Sequence, residues 1–97
     1  MDYVQFPDKA TMDGVYATYV QQLGATHDSG QCSGSTWPQE EGYTVSGQDA
    51  GRVVCGKLSG VGEIAWEDAR TLIFSFAIRA DGNQQLLYEF WTNGGPN

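Results

Sequence analysis

The run Thr71-Leu72-Ile73-Phe74-Ser75-Phe76-Ala77-Ile78-Arg79 decides the fold of this chain. Its side chains alternate with a period of two, as a pleated strand requires. Leu72, Phe74, Phe76 and Ile78 share one face, which needs an apolar layer packed on it. Ile73, Ser75 and Ala77 share the other, where small side chains either lie under a helix or face a groove. Working outward, two more strands precede this one. Arg52 to Leu58 is the first, Ser59-Gly60 supplies a turn, and Gly62 to Trp66 is the second, with Ile64 and Trp66 on one face. Asp68-Ala69 sits in the turn that follows.

Beyond the third strand, Asp81 opens a helix, with Gln84 three residues later as a capping partner. Leu86, Leu87, Phe90 and Trp91 form its buried side, and Gly94-Gly95-Pro96 ends it. At the other terminus, Tyr3-Val4-Gln5-Phe6 alternates as a short strand that Pro7 ends. Asp8 then caps a helix, because its carboxylate accepts from an early backbone N–H. Pro7 and Met12 are spaced for a hydrophobic staple across that cap. Met12, Val15, Tyr16, Tyr19, Val20 and Leu23 recur at helical spacing, Gly14 weakens the helix, and Gly24 stops it.

Residues 25–50 are rich in Gly, Ser, Thr, Asp and Gln and read as one long connection. Such loops in compact domains are usually functional or mobile. Trp37, before Pro38, and Tyr43 are placed to pin it to the body. The expected architecture is α+β: a mostly antiparallel four-stranded sheet with two helices packed on it. Its order is strand, helix, long loop, three-strand meander, helix.

A chain of 97 residues makes one domain. A domain of this size buries about two-thirds of its unfolded surface. An aromatic content of 12% argues against disorder. The net charge of −7 repels phosphate backbones and anionic lipid, so nucleic acid is not an expected partner. No apolar run approaches the ~20 residues of a membrane helix, so no insertion by this segment is expected. No apolar h-region follows Met1, so no signal peptide is read. The chain is expected to be a piece of a longer protein rather than a free cytoplasmic one.

The motifs Gly51-Arg52-Val53-Val54-Cys55, Trp66-Glu67-Asp68, Asp81-Gly82 and Phe90-Trp91 give the second half its character. This pattern resembles the small C-terminal extracytoplasmic domains of actinobacterial membrane-anchored serine/threonine protein kinases and of related anchored or secreted proteins. In the first half, Phe6-Pro7, Met12, Tyr16 and Cys32 fit the same arrangement. At Gly56, where such domains more commonly carry an aromatic, this chain has glycine. The resemblance implies a sensor or accessory role at the cell surface, on a membrane-anchored parent, with no catalytic residues in this piece. Kinase activity would belong to a separate domain: the chain has no Gly-rich nucleotide loop, no catalytic-loop motif and no Asp-Phe-Gly. No cofactor is expected.

The resemblance also bears on Cys32 and Cys55. One reading is a disulfide tying the long loop to the first meander strand, as suits an oxidising compartment. It would contribute roughly 3 kcal/mol in the chain-entropy model. The other is two unrelated thiols. No metal site is expected, since His27 has no ligand spacing with the cysteines. His27-Asp28-Ser29 has the residue types of a hydrolase triad, but adjacent residues rarely converge as one, and the segment reads as a solvated loop. Glu40-Glu41 and Glu63, Glu67 and Asp68 read as solvated acidic faces, in preference to acid–base pairs or a weak calcium site. Trp66 and Trp91 read as core, and Trp37 as either a core anchor or a binding platform.

The function expected from these features is a non-catalytic sensor or binding domain. Its partner would be a small molecule, a cell-wall fragment or a protein, met at the long loop through Trp37, Tyr43 and Arg52. The alternatives are a structural module that homodimerises through an edge strand, and a small hydrolase using Asp28 or a glutamate pair.

Overall fold

The computed structural model describes residues 2–34 and 36–94. The chain folds as β1 (Asp2–Gln5), α1 (Lys9–Gln22), β2 (Gln39–Val45), β3 (Gln48–Leu58), β4 (Val61–Asp68), β5 (Ile73–Arg79) and α2 (Gln84–Gly94). The α+β class holds, but the sheet has five strands, in the order β1-β5-β4-β3-β2, with every pair antiparallel. The expected long connection is therefore shorter than 25–50, because β2 and the start of β3 lie inside it. A two-residue hairpin joins those strands. Ser46 and Gly47 both take positive φ, 52° and 78°, as a type I′ turn demands. Ser59 and Gly60 repeat this geometry between β3 and β4, at 53° and 82°. Gly95 and Pro96, expected to end the last helix, lie outside the described residues.

Asp8 caps α1 by accepting from the Thr11 N–H at 2.7 Å. Phe6, rather than the exposed Pro7, is the residue before the cap that joins the cluster around Met12. The helix ends in a Schellman motif on Gly24 at φ 74°, with Ala25 N–H on Val20 O and Gly24 N–H on Gln21 O. Asn83, not Asp81, caps α2: its Oδ1 accepts from Leu86 N–H at 3.0 Å, while Asp81 closes the turn before it on Asn83 N–H.

The two helices cover opposite faces of the sheet. Val54, Ala65 and Phe74 pack with Met12, Tyr16 and Leu23 of the α1 side. Val53, Cys55, Ile64, Trp66 and Ala77 pack with Leu87 and Trp91 of α2. The small side of β5 thus lies under a helix. Each large apolar side chain buried this way contributes about 1.5–3 kcal/mol. Trp66 and Trp91 are core residues, their ring centroids 6.5 Å apart. Leu86 and Phe90, expected on the buried side of α2, are 41% and 42% exposed and line a surface pocket at the end of β5.

Cys32 and Cys55 form a disulfide, buried on the α2 side with Cα atoms 5.9 Å apart. This buried bridge suits an oxidising, extracellular compartment. Among the described residues no helix is long and apolar enough to cross a membrane. Gly56 faces α1, where an added Cβ would lie 3.0 Å from Leu23 Cβ and 3.3 Å from Pro38 Cβ. An aromatic there would have to displace the end of α1.

Candidate functional site

Strand register builds the site. Gly42 pairs with Arg52, Arg52 with Glu67, and Glu40 with Val54. Side chains at paired positions share a face. Since Val54 faces α1, so do Glu40, Arg52 and Glu67. Gly42 presents no side chain across from Arg52, and the guanidinium lies over that gap. From above, α1 supplies Lys9, Asp13 and Tyr16 at i, i+4 and i+7, one side of a helix. A cavity of about 320 Å³ opens between them, with Ala17 and Val20 as its apolar wall.

Glu40, 1% exposed, is saturated by donors. Tyr16 Oη–H donates to its Oε2 at 2.6 Å, and Arg52 Nε–H to the same oxygen at 2.7 Å. Its Oε1 accepts from Arg52 Nη2–H and from the Asp28 backbone N–H, both at 2.8 Å. Arg52 Nη2 also pairs with Asp28 Oδ1. Burial alone would raise the Glu40 carboxyl, but the bonds from Arg52, Tyr16 and Asp28 outweigh it and hold the group below the ordinary glutamate range. The same contact to Glu40 raises Arg52, while burial and then Glu40 push the Tyr16 phenol far up. The network also fastens the loop before β2, because Ser29 Oγ accepts from Glu40 N–H at 3.1 Å and Cys32 N–H donates to Glu41 Oε2 at 2.9 Å.

Glu67 is different. It is 5% exposed, and its Oε2 has no donor; neither has Asp13 Oδ1 beside it. The two carboxyls are satisfied only when one carries a proton, which then bridges them. Burial and the Asp13 carboxylate push Glu67 up to about 7. For Asp13, burial is outweighed by Lys9 and Glu67, which hold it low; Lys9 Nζ lies 2.8 Å from its Oδ2. On the opposite face of the sheet, Tyr43 Oη–H donates to the Glu67 carbonyl at 2.9 Å, past Gly51. A Cβ on Gly51 would collide with that carbonyl.

Of the three residues expected to meet a ligand, Arg52 alone lines this cavity. Tyr43 is buried on the α2 side against Trp91, at 5.4 Å between ring centroids. Trp37 packs against that same core, and its Nε1–H donates to Cys32 O at 2.9 Å. Tyr43 and Arg52 do both line a second depression, where β2 and β3 bulge. The solvated-face expectation is overturned for Glu40, Glu67 and Asp68, which are all buried. Asp68 is held by Arg70 in the β4–β5 turn, its Oδ2 2.6 Å from Nη2. His27 and Asp28 are exposed as expected, yet both contact Glu40 or its partner. His27, Asp28 and Glu40 each bring one ligand atom within 4.8 Å of the others, but Arg52 already sits on both carboxylates, which belong to its ion-pair network.

The cavity thus presents a carboxyl pair with buried oxygens, Asp13 and Glu67, beside an apolar wall. No protein-family model, no curated protein and no solved structure matches the chain.

Proposed function

We propose that this chain is a non-catalytic extracytoplasmic binding domain of a larger membrane-anchored signalling protein, a serine/threonine protein kinase. The cavity between α1 and the sheet receives its ligand, a small molecule or a cell-wall fragment. One observation carries the reading: a glutamate 5% exposed has at that cavity only a proton shared with Asp13 to bond its Oε2, while its neighbour Glu40 is fully bonded. Buried polar groups are nearly always paired, and an exception calls for a reason. Small-molecule sites have this make-up, an apolar wall with a few fixed polar groups. The buried disulfide supports a position outside the cytoplasm. The motifs at 51–55, 66–68, 81–82 and 90–91 support the kinase parent.

Two further features favour binding over the alternatives. Asp13 and Glu67 are hydrogen-bonded neighbours, whereas the paired carboxyls of glycoside hydrolases stand ~5–9.5 Å apart to admit substrate or water. The sheet edges suit a monomer: β1 has four residues, and β2 carries a bulge at Tyr43/Thr44. Fragment screening by amide chemical shifts on isotope-labelled protein tests the site. Binders are expected to perturb Asp13, Ala17, Arg52 and Glu67; a library that binds only elsewhere refutes it. The gene upstream of Met1 tests the parent, which falls if no membrane segment and kinase domain are encoded there.

A further inference from the structure

We infer that the cavity beneath α1 recognises a primary alkylammonium group, which docks between the Asp13 and Glu67 carboxylates and lays its aliphatic stem on Ala17 and Val20. This inference rests on the binding role proposed above and names the ligand's chemistry.

Charge balance points to a cation. Lys9 pairs with Asp13, and Arg52 sits on Glu40 and Asp28. These contacts leave Glu67, once it gives up its proton, as a carboxylate with no ion pair of its own among the described residues. Two buried oxygens, Asp13 Oδ1 and Glu67 Oε2, lack donors at the same place. An ammonium carries three N–H donors and one positive charge, enough to bond both oxygens and neutralise the surplus. A carboxylate or phosphate ligand would add a third negative charge beside them. The molecule's net charge of −7 draws cations toward its surface as well. Asp13, half exposed at 41% of its side chain, is the jaw that moves; Glu67, rooted in β4 with its carbonyl held by Tyr43, is the fixed one.

The proton bridging the two carboxyls competes with the ammonium. The groups facing it are Lys9, Asp13 and Tyr16 from α1 and Arg52 from β3. From β2 come Glu40 on this face and Tyr43 through the strand, and from the loop His27 and Asp28. With the Glu67 proton held to about 7, competition makes binding about 30-fold weaker at pH 5.5 than at pH 8.

The test titrates the folded protein with n-butylammonium, n-butanol and butyrate, following the amides of Ala17, Val20 and Glu67. The expected result is saturable shifts from butylammonium alone, weakening toward pH 5.5 and reduced at least ~10-fold in Glu67→Gln, a loss of about 1.4 kcal/mol. The glutamine amide introduced there fills the proton's role toward Asp13, so that variant keeps its fold; Asp13→Asn gives the same comparison from the other jaw. Equal binding of butanol or butyrate at these amides overturns the ammonium inference and leaves the binding role standing. No binding of butylammonium there also overturns it, and the fragment screen then decides separately whether the cavity binds anything.

Discussion

Replacing Glu67 by glutamine should stabilise this protein at pH 8 and do nothing at pH 4.5, contrary to the usual effect of disturbing a buried polar group. The reason is the proton that Glu67 keeps in the folded state. Its pKa rises from 4.5 in the open chain to about 7 in the fold, through burial and the Asp13 carboxylate. Between those values the native state binds more protons than the unfolded one. The Glu67 contribution to stability therefore falls as pH rises through the window and is flat on either side of it. At 1.36 kcal/mol per pKa unit the whole fall is about 3 kcal/mol. Glutamine cannot ionise, and its Nε2–H can donate to Asp13 Oδ1 as the protonated acid does. Wild type and Glu67→Gln should thus coincide near pH 4.5 and diverge to about 3 kcal/mol by pH 8, with the variant the more stable. Urea unfolding followed by tryptophan fluorescence at a series of pH values measures the gap. Glu63, which burial also raises, titrates in both proteins and cancels in the difference. A gap that does not change with pH, or a variant less stable at pH 8, refutes the shared-proton account.

Three other predictions concern the scaffold. Cys32 and Cys55 are 23 residues apart, so replacing both by alanine should cost ~3.4 kcal/mol from loop entropy, read as a drop in urea midpoint; a loss under ~1 kcal/mol contradicts this. Arg52→Ala strands the Glu40 carboxylate in the interior and should cost about 3–5 kcal/mol, with Glu40→Leu/Arg52→Leu recovering much of it; a double variant no better than the single one opposes the ion-pair account. Gly14→Ala should raise stability by roughly 0.5–1 kcal/mol, because nothing lies within 4 Å of an added Cβ in that helical turn; thermal unfolding that shows no gain counts against it.

Much of this fold was legible because each element announces itself locally. The α1 stripe, the Asp8 cap, Gly24 and the alternation of β5 all depend on neighbours within a few positions. The missed strand, β2, had a local signal too: Ser46-Gly47 is the same dipeptide as Ser59-Gly60, and both form I′ turns. What hid it was composition, since Gln39-Glu40-Glu41-Gly42 lacks the β-branched and aromatic residues that mark strands. The site was less legible. Arg52 stands two before Val54 and Glu67 two after Ala65, so parity alone puts both on the α1 face once that face is known. Sequence does not say which face receives which helix, and Tyr43 and Arg52, expected on one surface, fall on opposite sides of the sheet. Burial of Glu40 needed Tyr16 from α1 and Asp28 from the loop, contacts across 24 and 12 residues.

The position of Tyr16 explains how one helix serves both core and site. Met12, Tyr16, Tyr19 and Leu23 run along the side of α1 that packs on Val54, Ala65 and Phe74. Lys9, Asp13, Tyr16, Ala17 and Val20 run along the adjoining side, over Glu40, Arg52 and Glu67. Tyr16 belongs to both stripes: its ring packs in the apolar cluster, and its hydroxyl reaches Glu40 across the boundary. An aliphatic residue there would complete the core but leave Glu40 one donor short, and a short polar residue would do the reverse. The sheet is divided in the same way, with Phe74 and Phe76 on one side and the charged residues of β2 and β3 on the other. The polar half is held firmly around Glu40, and beside it Glu67, whose Oε2 has no donor but a proton shared with Asp13, has its carbonyl anchored from the opposite face by Tyr43. Rigid support around such a group is what the proposed binding role requires, a position held in place before the ligand arrives.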